Sequence, residues 1–288
     1  MEWMRPMRLL ASMVQVVVVA TVLATGCGGD GGAPATPDGA PIEIDAGCVP
    51  GPDATPSSQA LGDVNGSWAV LELSHARVGQ PLNSVQISRE LYTFTITQTG
   101  TDLAIVEQMC DIQVDDASGL ESTRMLPSLW PSLPPVNRIG SLVADGAGGF
   151  TLTTMQAYRT RGITLVNIET DPLPTDASDP RIEDWDEDSH PGITLLLDGI
   201  LRGQAYVIQR DWNMYNASQV GIDLIEGHTM WDSEQVYLGS DPDSIAELNI
   251  SADPDPDPSK HTVQLVRIPA GSDCAYVTAN QCTLFAGK

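Results

Sequence analysis

The chain has 288 residues, of which 38 are Asp or Glu and 14 are Lys or Arg, giving a formal charge of −24 at neutral pH. Nucleic acids and anionic lipid headgroups are bound through Lys and Arg that neutralise phosphate, so this balance argues against DNA, RNA and other polyanions as partners. The acidic excess serves solubility and by itself names no partner.

At the N-terminus, Arg5 and Arg8 precede an uncharged run from Leu9 to Ala24 rich in Val, Leu, Ala and Met. That is the charge and length of a signal peptide. The run is shorter than the roughly 20 apolar residues of a spanning helix, and Gly26-Cys27-Gly28-Gly29 ends it with no basic cluster behind. Leu23-Ala24-Thr25-Gly26-Cys27 resembles the lipobox of bacterial lipoproteins, with Ala24 where that family usually has Leu. The resemblance implies removal of residues 1–26 and attachment of diacylglycerol to the Cys27 sulfur. A further acyl chain such as palmitate would follow on the new amino group, holding the protein to a lipid bilayer. Gly28 rather than Asp after the cysteine implies sorting to the outer membrane of the cell envelope, in a cell that has one. The alternative is an ordinary secretory signal cut near Ala24 to Gly26. Without residues 1–26, which carry Glu2, Arg5 and Arg8, the formal charge is −25.

Residues 27–62 are built from Gly, Ala, Pro, Asp and Ser with almost no apolar periodicity, the composition of an extended tether. Residues 63–288 are long enough for a sizeable core, and no interior linker divides them.

Beyond Cys27, the exported chain has Cys48, Cys110, Cys274 and Cys282, an even number in an oxidising compartment, so two disulfides are expected. Three connectivities are open. The local separation of Cys274 and Cys282 favours pairing those two, with Cys48 to Cys110. No C-x-x-C pair is present, which argues against a zinc ribbon or a thioredoxin-type centre.

The clearest strand signal is Leu91 to Val114. Tyr92, Phe94 and Ile96 alternate with Thr93, Thr95 and Thr97, and Thr99-Gly100-Thr101-Asp102 turns the chain into Leu103 to Cys110. Other strand candidates are Trp68–Leu73, Gly149–Met155, Ile163–Ile168, Ile193–Leu197, Gln204–Gln209, Ile222–Ile225, Gln235–Leu238 and Thr262–Ile268. Helical periodicity is scarce, Asp243–Leu248 being a short exception. Many short strands separated by Gly, Pro, Asp and Asn predict an all-β, antiparallel domain, either a barrel or a β-sandwich.

Asn65-Gly66-Ser67-Trp68 at the first strand, followed by the Thr97-Gln98-Thr99-Gly100 hairpin, resembles a calycin-type, lipocalin-like barrel over residues 63–114. In such barrels the Trp of Gly-x-Trp lies across the closed end and seals the base of the core. Trp68 is the matching residue. The sequence does not place the basic residue that packs on that Trp. On this reading Asp115–Asp145 and Asp171–Pro191 are loop-rich insertions. The first holds Leu126–Pro135, whose prolines lack a backbone donor and fix their dihedrals, which excludes a central strand. Trp130 there is expected to pin the loop to the body.

Asp184, Asp186 and Asp188 have the D-x-D-x-D spacing that opens many calcium loops and supplies hard oxygen ligands. Ser189 stands where an EF-hand has Gly, and Leu195 where it has a closing Glu, so that family does not fit; a looser calcium site is the metal candidate. Asp253, Asp255 and Asp257 alternate with prolines and read as a solvated spacer. His75, His190, His228 and His261 show no zinc-ligand spacing. The hydrolase, P-loop and dinucleotide signatures are absent.

Trp212-Asn213-Met214-Tyr215-Asn216 is expected to form a turn, so Trp212 and Tyr215 are candidate ligand contacts. Together these features lead to two expectations. One is a non-enzymatic envelope lipoprotein that holds a small apolar ligand or docks another envelope component. The other is an extracellular hydrolase of polysaccharide or ester, for which a pair of carboxylates, or Ser with His, would have to meet in a cleft.

Overall fold

The computed structural model describes residues 59–79, 82–248 and 250–286. Residues 1–58, which hold the expected signal peptide, Cys27, Cys48 and nearly all of the expected tether, lie outside them. Twelve strands are present among the described residues. They are β1 (Gly66–Val78), β2 (Val85–Thr99), β3 (Asp102–Asp116), β4 (Glu121–Met125), β5 (Val136–Ala144), β6 (Phe150–Thr154), β7 (Ala157–Arg161), β8 (Ile193–Gly199), β9 (Gly203–Gly221), β10 (Leu224–Asp241), β11 (Ala252–Pro254) and β12 (Thr262–Ile268). Two helices, α1 (Ser244–Glu247) and α2 (Cys274–Leu284), complete the regular structure with two short 3-10 turns. No helix among the described residues is long and apolar enough to cross a membrane.

All strand pairs are antiparallel, as expected for the all-β class. Eight strands close a ring in chain order, β1-β2-β3-β5-β6-β9-β10-β12, with β12 returning to β1. A closed ring leaves no long edge unpaired, which removes the template for edge-to-edge association. Between β3 and β9 the ring is bridged twice. The β5–β6 pair joins Asp102–Glu107 of β3 to Asn216–Ser218 of β9. The β4–β8 pair joins Gln113–Asp115 to Gly203–Val207 at the other end, and β7 lies along β9 between them.

Alternation puts every second side chain inside. On β1 and β2 the inward rows meet in register as Trp68 with Phe94, Val70 with Tyr92, Glu72 with Glu90, and Ser74 with Ser88. One end of the ring is therefore packed with Trp68, Phe94, Ile96, Leu103, Ile105, Leu142, Leu152, Ile225 and Leu265, all in one buried cluster. Each such side chain contributes about 1.5–3 kcal/mol of burial. Gln59 to Gly62 already dock on this end: Gly62 N–H donates to Gln219 Oε1 at 2.8 Å, and Gln98 Nε2 donates to Gly62 O at 2.9 Å.

β3 changes phase once. Tyr92 pairs with Met109 but Leu91 pairs with Asp111, so Cys110 is the extra residue of a bulge. Leu103, Ile105, Glu107 and Met109 face inward before it, Ile112 and Val114 after it. The bulge turns Cys110 outward, where α2 covers Ala69, Leu71 and Leu91 with Val277 and Phe285. There Cys110 is bonded to Cys274, with Cα atoms 5.0 Å apart. This replaces the expected Cys274–Cys282 and Cys48–Cys110 pairs. Cys274 and Cys282 lie on one helix, eight residues apart, a rise of about 12 Å that exceeds the reach of a disulfide. Cys282 is itself disulfide-bonded.

Other expectations also change. Ile163–Ile168 is not a strand; only Ile163 bridges to Ile182, and the segment packs as a loop over Ile208, Val236 and Leu238 on the outer face of β9 and β10. Gly162 and Gly192 form the neck of that loop. A Cβ on Gly162, at φ 69°, would stand 2.5 Å from Gly192 Cα. Ile222–Ile225 is divided between the β9–β10 turn and the start of β10. Asp115–Asp145 is not wholly an insertion, because β5 within it is one of the eight ring strands. Its exposed Ile139 and Val143 and its buried Arg138 invert the usual polar-out pattern and hide the period. Leu126–Pro135 contains a 3-10 turn over Pro127–Ser132 that buries Leu129, with Trp130 partly buried against the core.

Candidate functional site

Above the packed end, the inward rows turn from apolar to charged. Glu72 of β1, Glu90 of β2, Glu107 of β3, Arg138 of β5, Arg159 and Arg161 of β7, and Asp211 and Asn213 of β9 form a belt across the ring. Ionised groups held away from water need partners, and the belt supplies them. Arg138 donates to Glu107 Oε2 at 2.6 Å and to Asn213 Oδ1 at 2.5 Å, and lies 4.6 Å from the centroid of the Tyr215 ring. Arg159 donates to Glu107 Oε1 at 2.6 Å and bonds Asp211 at 2.8 Å. Arg161 pairs with the other oxygen of Asp211. Burial opposes ionisation of Asp211, yet the two guanidinium groups hold its carboxyl below the usual range.

The acids Glu72, Glu90, Glu107 and Asp211 outnumber the bases Arg138, Arg159 and Arg161 by one carboxylate. The surplus sits where Glu72 and Glu90 face each other across β1 and β2. Directly opposed side chains have Cβ atoms about 4.5–5.5 Å apart, so two like charges there repel strongly. Burial first, and Glu90 second, push the Glu72 carboxyl up to about 7. Glu90 is also raised, again by burial first. Both shifts favour keeping a proton on the pair up to about neutral pH, which offsets the surplus charge of the belt. Both oxygens of Glu72 are held: Thr229 donates its hydroxyl to Oε1 at 2.9 Å, while Asn213 Nδ2 at 2.7 Å and Tyr215 OH at 2.8 Å donate to Oε2. Glu90 accepts from the Tyr92 hydroxyl and faces open space.

That space is a cavity of about 430 Å³ in the half of the ring opposite Trp68. Glu72, Glu90, Arg159, Arg161 and Asp211 form its floor, while Ile112, Val114, Met125, Leu195, Leu197, Tyr237 and Ile245 form an apolar wall. Trp231, Glu234 and Asp253 also line it. The volume is within the range of small-molecule sites, and so is the combination of apolar walls with a few fixed polar groups. Six acids, Glu72, Glu90, Glu121, Asp211, Glu234 and Asp253, line it against two bases, Arg159 and Arg161, with Arg210 pairing Glu234 from outside the lining, so acids remain in excess and the field inside favours cations.

The residues singled out in the sequence fall in several places. Trp68 is fully buried at the packed end, its indole N–H donating to Val64 O at 2.9 Å. Trp212 and Tyr215 do not lie in a turn but within β9, whose 19 residues continue through that segment. Tyr215 is buried in the belt, and Trp212 borders the cavity from the strand. Asp184, Asp186 and Asp188 are clustered in the loop before β8, outside the belt. His261 is buried as a structural hub, its Nδ1 accepting from Trp231 Nε1 at 3.0 Å and its Nε2 donating to Asp255 O at 2.7 Å.

The belt is not among the sites expected from the sequence. A charge at an inward position does leave a mark there: Glu72 interrupts the apolar run Trp68–Leu73, and Arg159 and Arg161 alternate on a five-residue strand. Comparison with protein-family models, with curated proteins and with solved structures found no match.

Proposed function

We propose that the chain is a membrane-tethered, non-enzymatic binding protein of lipocalin-like build. Its cavity takes a small amphipathic molecule with a cationic head. The observation that carries this reading is the composition of the cavity: an apolar wall above a floor where Glu90 presents a carboxyl group opposite Glu72. An apolar body gains burial against Leu195, Leu197 and Tyr237, and an ammonium group displaces the proton of the Glu72–Glu90 pair. A purely apolar ligand would leave that floor desolvated and unpartnered, so the expectation of an apolar ligand is narrowed to an amphipathic one. The lipocalin-like reading is supported by ring strands that follow chain order and by Arg267 packing on Trp68. The tether and lipid on Cys27 belong to the same proposal and rest on the lipobox resemblance.

The test is titration of the protein with a fluorescent quaternary alkylammonium probe and with a fatty acid of equal chain length. The ammonium probe is expected to bind at least about tenfold more tightly, the ratio that about 1.4 kcal/mol of charge preference produces. Equal binding of both, or of neither, would refute the proposal.

The same carboxylate pair is the feature a hydrolase would use, because retaining glycosidases work with two carboxyl groups facing each other across the scissile bond, and Glu72 and Glu90 are directly opposed across β1 and β2. Three donors already fix both oxygens of Glu72, which fits a fixed structural acid better than a group that must transfer a proton each cycle. Turnover of chromogenic glycosides or esters, abolished in Glu90→Gln, would favour the hydrolase.

A further inference from the structure

We propose that Asp184, Asp186 and Asp188, in the loop leading into β8, form a calcium site separate from the cavity. Each brings one carboxylate oxygen within 4.8 Å of the other two. Oxygens on opposite sides of a calcium ion, each 2.3–2.6 Å from it, stand about 4.6–5.2 Å apart, so the cluster has the span of one coordination shell.

The second observation is Asp186 itself. It is only 2% exposed, and although its Oδ2 accepts from Thr194 N–H at 2.7 Å, its Oδ1 is buried with no hydrogen-bond partner. A buried carboxylate oxygen without a donor, among two further carboxylates, needs positive charge. No Lys, Arg or His forms an ion pair with any of the three among the described residues. A cation held by all three carboxylates would satisfy Oδ1 and cancel the whole repulsion, whereas a proton shared between Asp186 and its neighbour Asp184 would neutralise only one of the three charges.

The neighbouring carboxylates are held in place beforehand. Asp184 accepts from the N–H groups of Asp188 at 3.1 Å and Ser189 at 2.8 Å. Asp188 accepts from His190 N–H at 2.9 Å and from the Thr194 hydroxyl at 2.5 Å. Each of these oxygens keeps a lone pair for an ion. An all-oxygen, all-carboxylate set suits a hard cation and not zinc or copper. Because the cluster is tied to Thr194, the ion would fasten the loop to the start of β8, next to the cavity wall at Leu195.

The experiment uses the full chain, stripped with EDTA and titrated with calcium chloride, with Tm and terbium luminescence as readouts. Trp185, between two of the ligands, sensitises bound terbium. At about one hundred times Kd, calcium is expected to raise Tm by about 5–10 °C. Terbium is expected to luminesce on excitation of Trp, and calcium to displace it. Asp186→Asn, which keeps the shape and removes the charge, should abolish both responses while melting no lower than wild type in EDTA. If that variant does not fold, exposed Asp184→Asn should weaken calcium binding at least tenfold. No Tm shift at millimolar calcium, an undiminished response in the variants, or an equal shift with magnesium would each overturn the assignment.

Discussion

The Arg267 guanidinium lies over the indole of Trp68, 4.2 Å from the ring centroid, where the last ring strand pairs with the first. Arg267 also donates to Asn65 O at 2.5 Å, to Asp63 O at 2.8 Å and to Asp223 Oδ1 at 2.8 Å. One side chain thus closes the ring, covers its packed end and fixes the entry of the chain. Arg267→Met keeps the bulk and loses the charge and the donors. It is expected to cost about 2–4 kcal/mol, lowering Tm by roughly 5–12 °C in chemical or thermal unfolding. A loss under 1 kcal/mol would show that the ring closes without it.

The Glu72–Glu90 pair makes stability depend on pH. The Glu72 carboxyl is raised from 4.5 to about 7 in the folded chain, so its contribution is fully present below about pH 4.5 and is lost as pH rises to about 7. Glu72→Gln preserves the hydrogen bonds, since the amide oxygen accepts from Asn213 and Tyr215 and the amide nitrogen donates to Thr229. The variant is expected to gain on wild type by about 2–3 kcal/mol between pH 5 and pH 8, because wild type loses about 1.4 kcal/mol for each step of one in pH up to about pH 7 and little beyond it. Urea melts of both proteins at the two pH values measure it, and parallel pH profiles would contradict the buried pair.

Cys110 and Cys274 close a loop of 164 residues. Chain entropy sets an upper value of about 5 kcal/mol for such a crosslink, so Cys110→Ser with Cys274→Ser is expected to lower stability by about 2–5 kcal/mol and to release α2 from β3. If Cys27 carries the lipid, as proposed, Cys48 is the cysteine left to pair with Cys282. Non-reducing peptide mapping should find Cys48 linked to Cys282, and a Cys27–Cys282 link would refute the anchor as well as the pairing.

Val114 lies on the cavity wall with open space before it. Val114→Trp fills that space without disturbing the belt. Binding of the alkylammonium probe should fall at least about tenfold, with Tm within a few degrees of wild type. Unchanged binding would move the ligand elsewhere.

Acylation is read from cells grown on labelled palmitate. The mature chain is expected to carry label that Cys27→Ser removes, and label persisting in that variant would place the lipid on another residue.

How much of the molecule was legible in the sequence varies by element. The Tyr92–Ile96 alternation and the Gly100 turn predict the β2–β3 hairpin because one face is buried and the other wet, which is the condition under which period two is visible. Farther along β3 the bulge at Cys110 breaks the period. On β5 a buried Arg138 beside an exposed Ile139 inverts it, and β9 hides its length because Trp212–Asn216 mixes polar belt residues with aromatic ones. The sequence alone determined the all-β class, the resemblance to a lipobox, the even set of four further cysteines and the Asp184–Asp188 spacing, since each is local in the chain. Only the tertiary structure decided the disulfide partners, the opposition of Glu72 to Glu90 and the cavity above them. These depend on which strands become neighbours, and ring closure sets that between residues as far apart as Trp68 and Arg267.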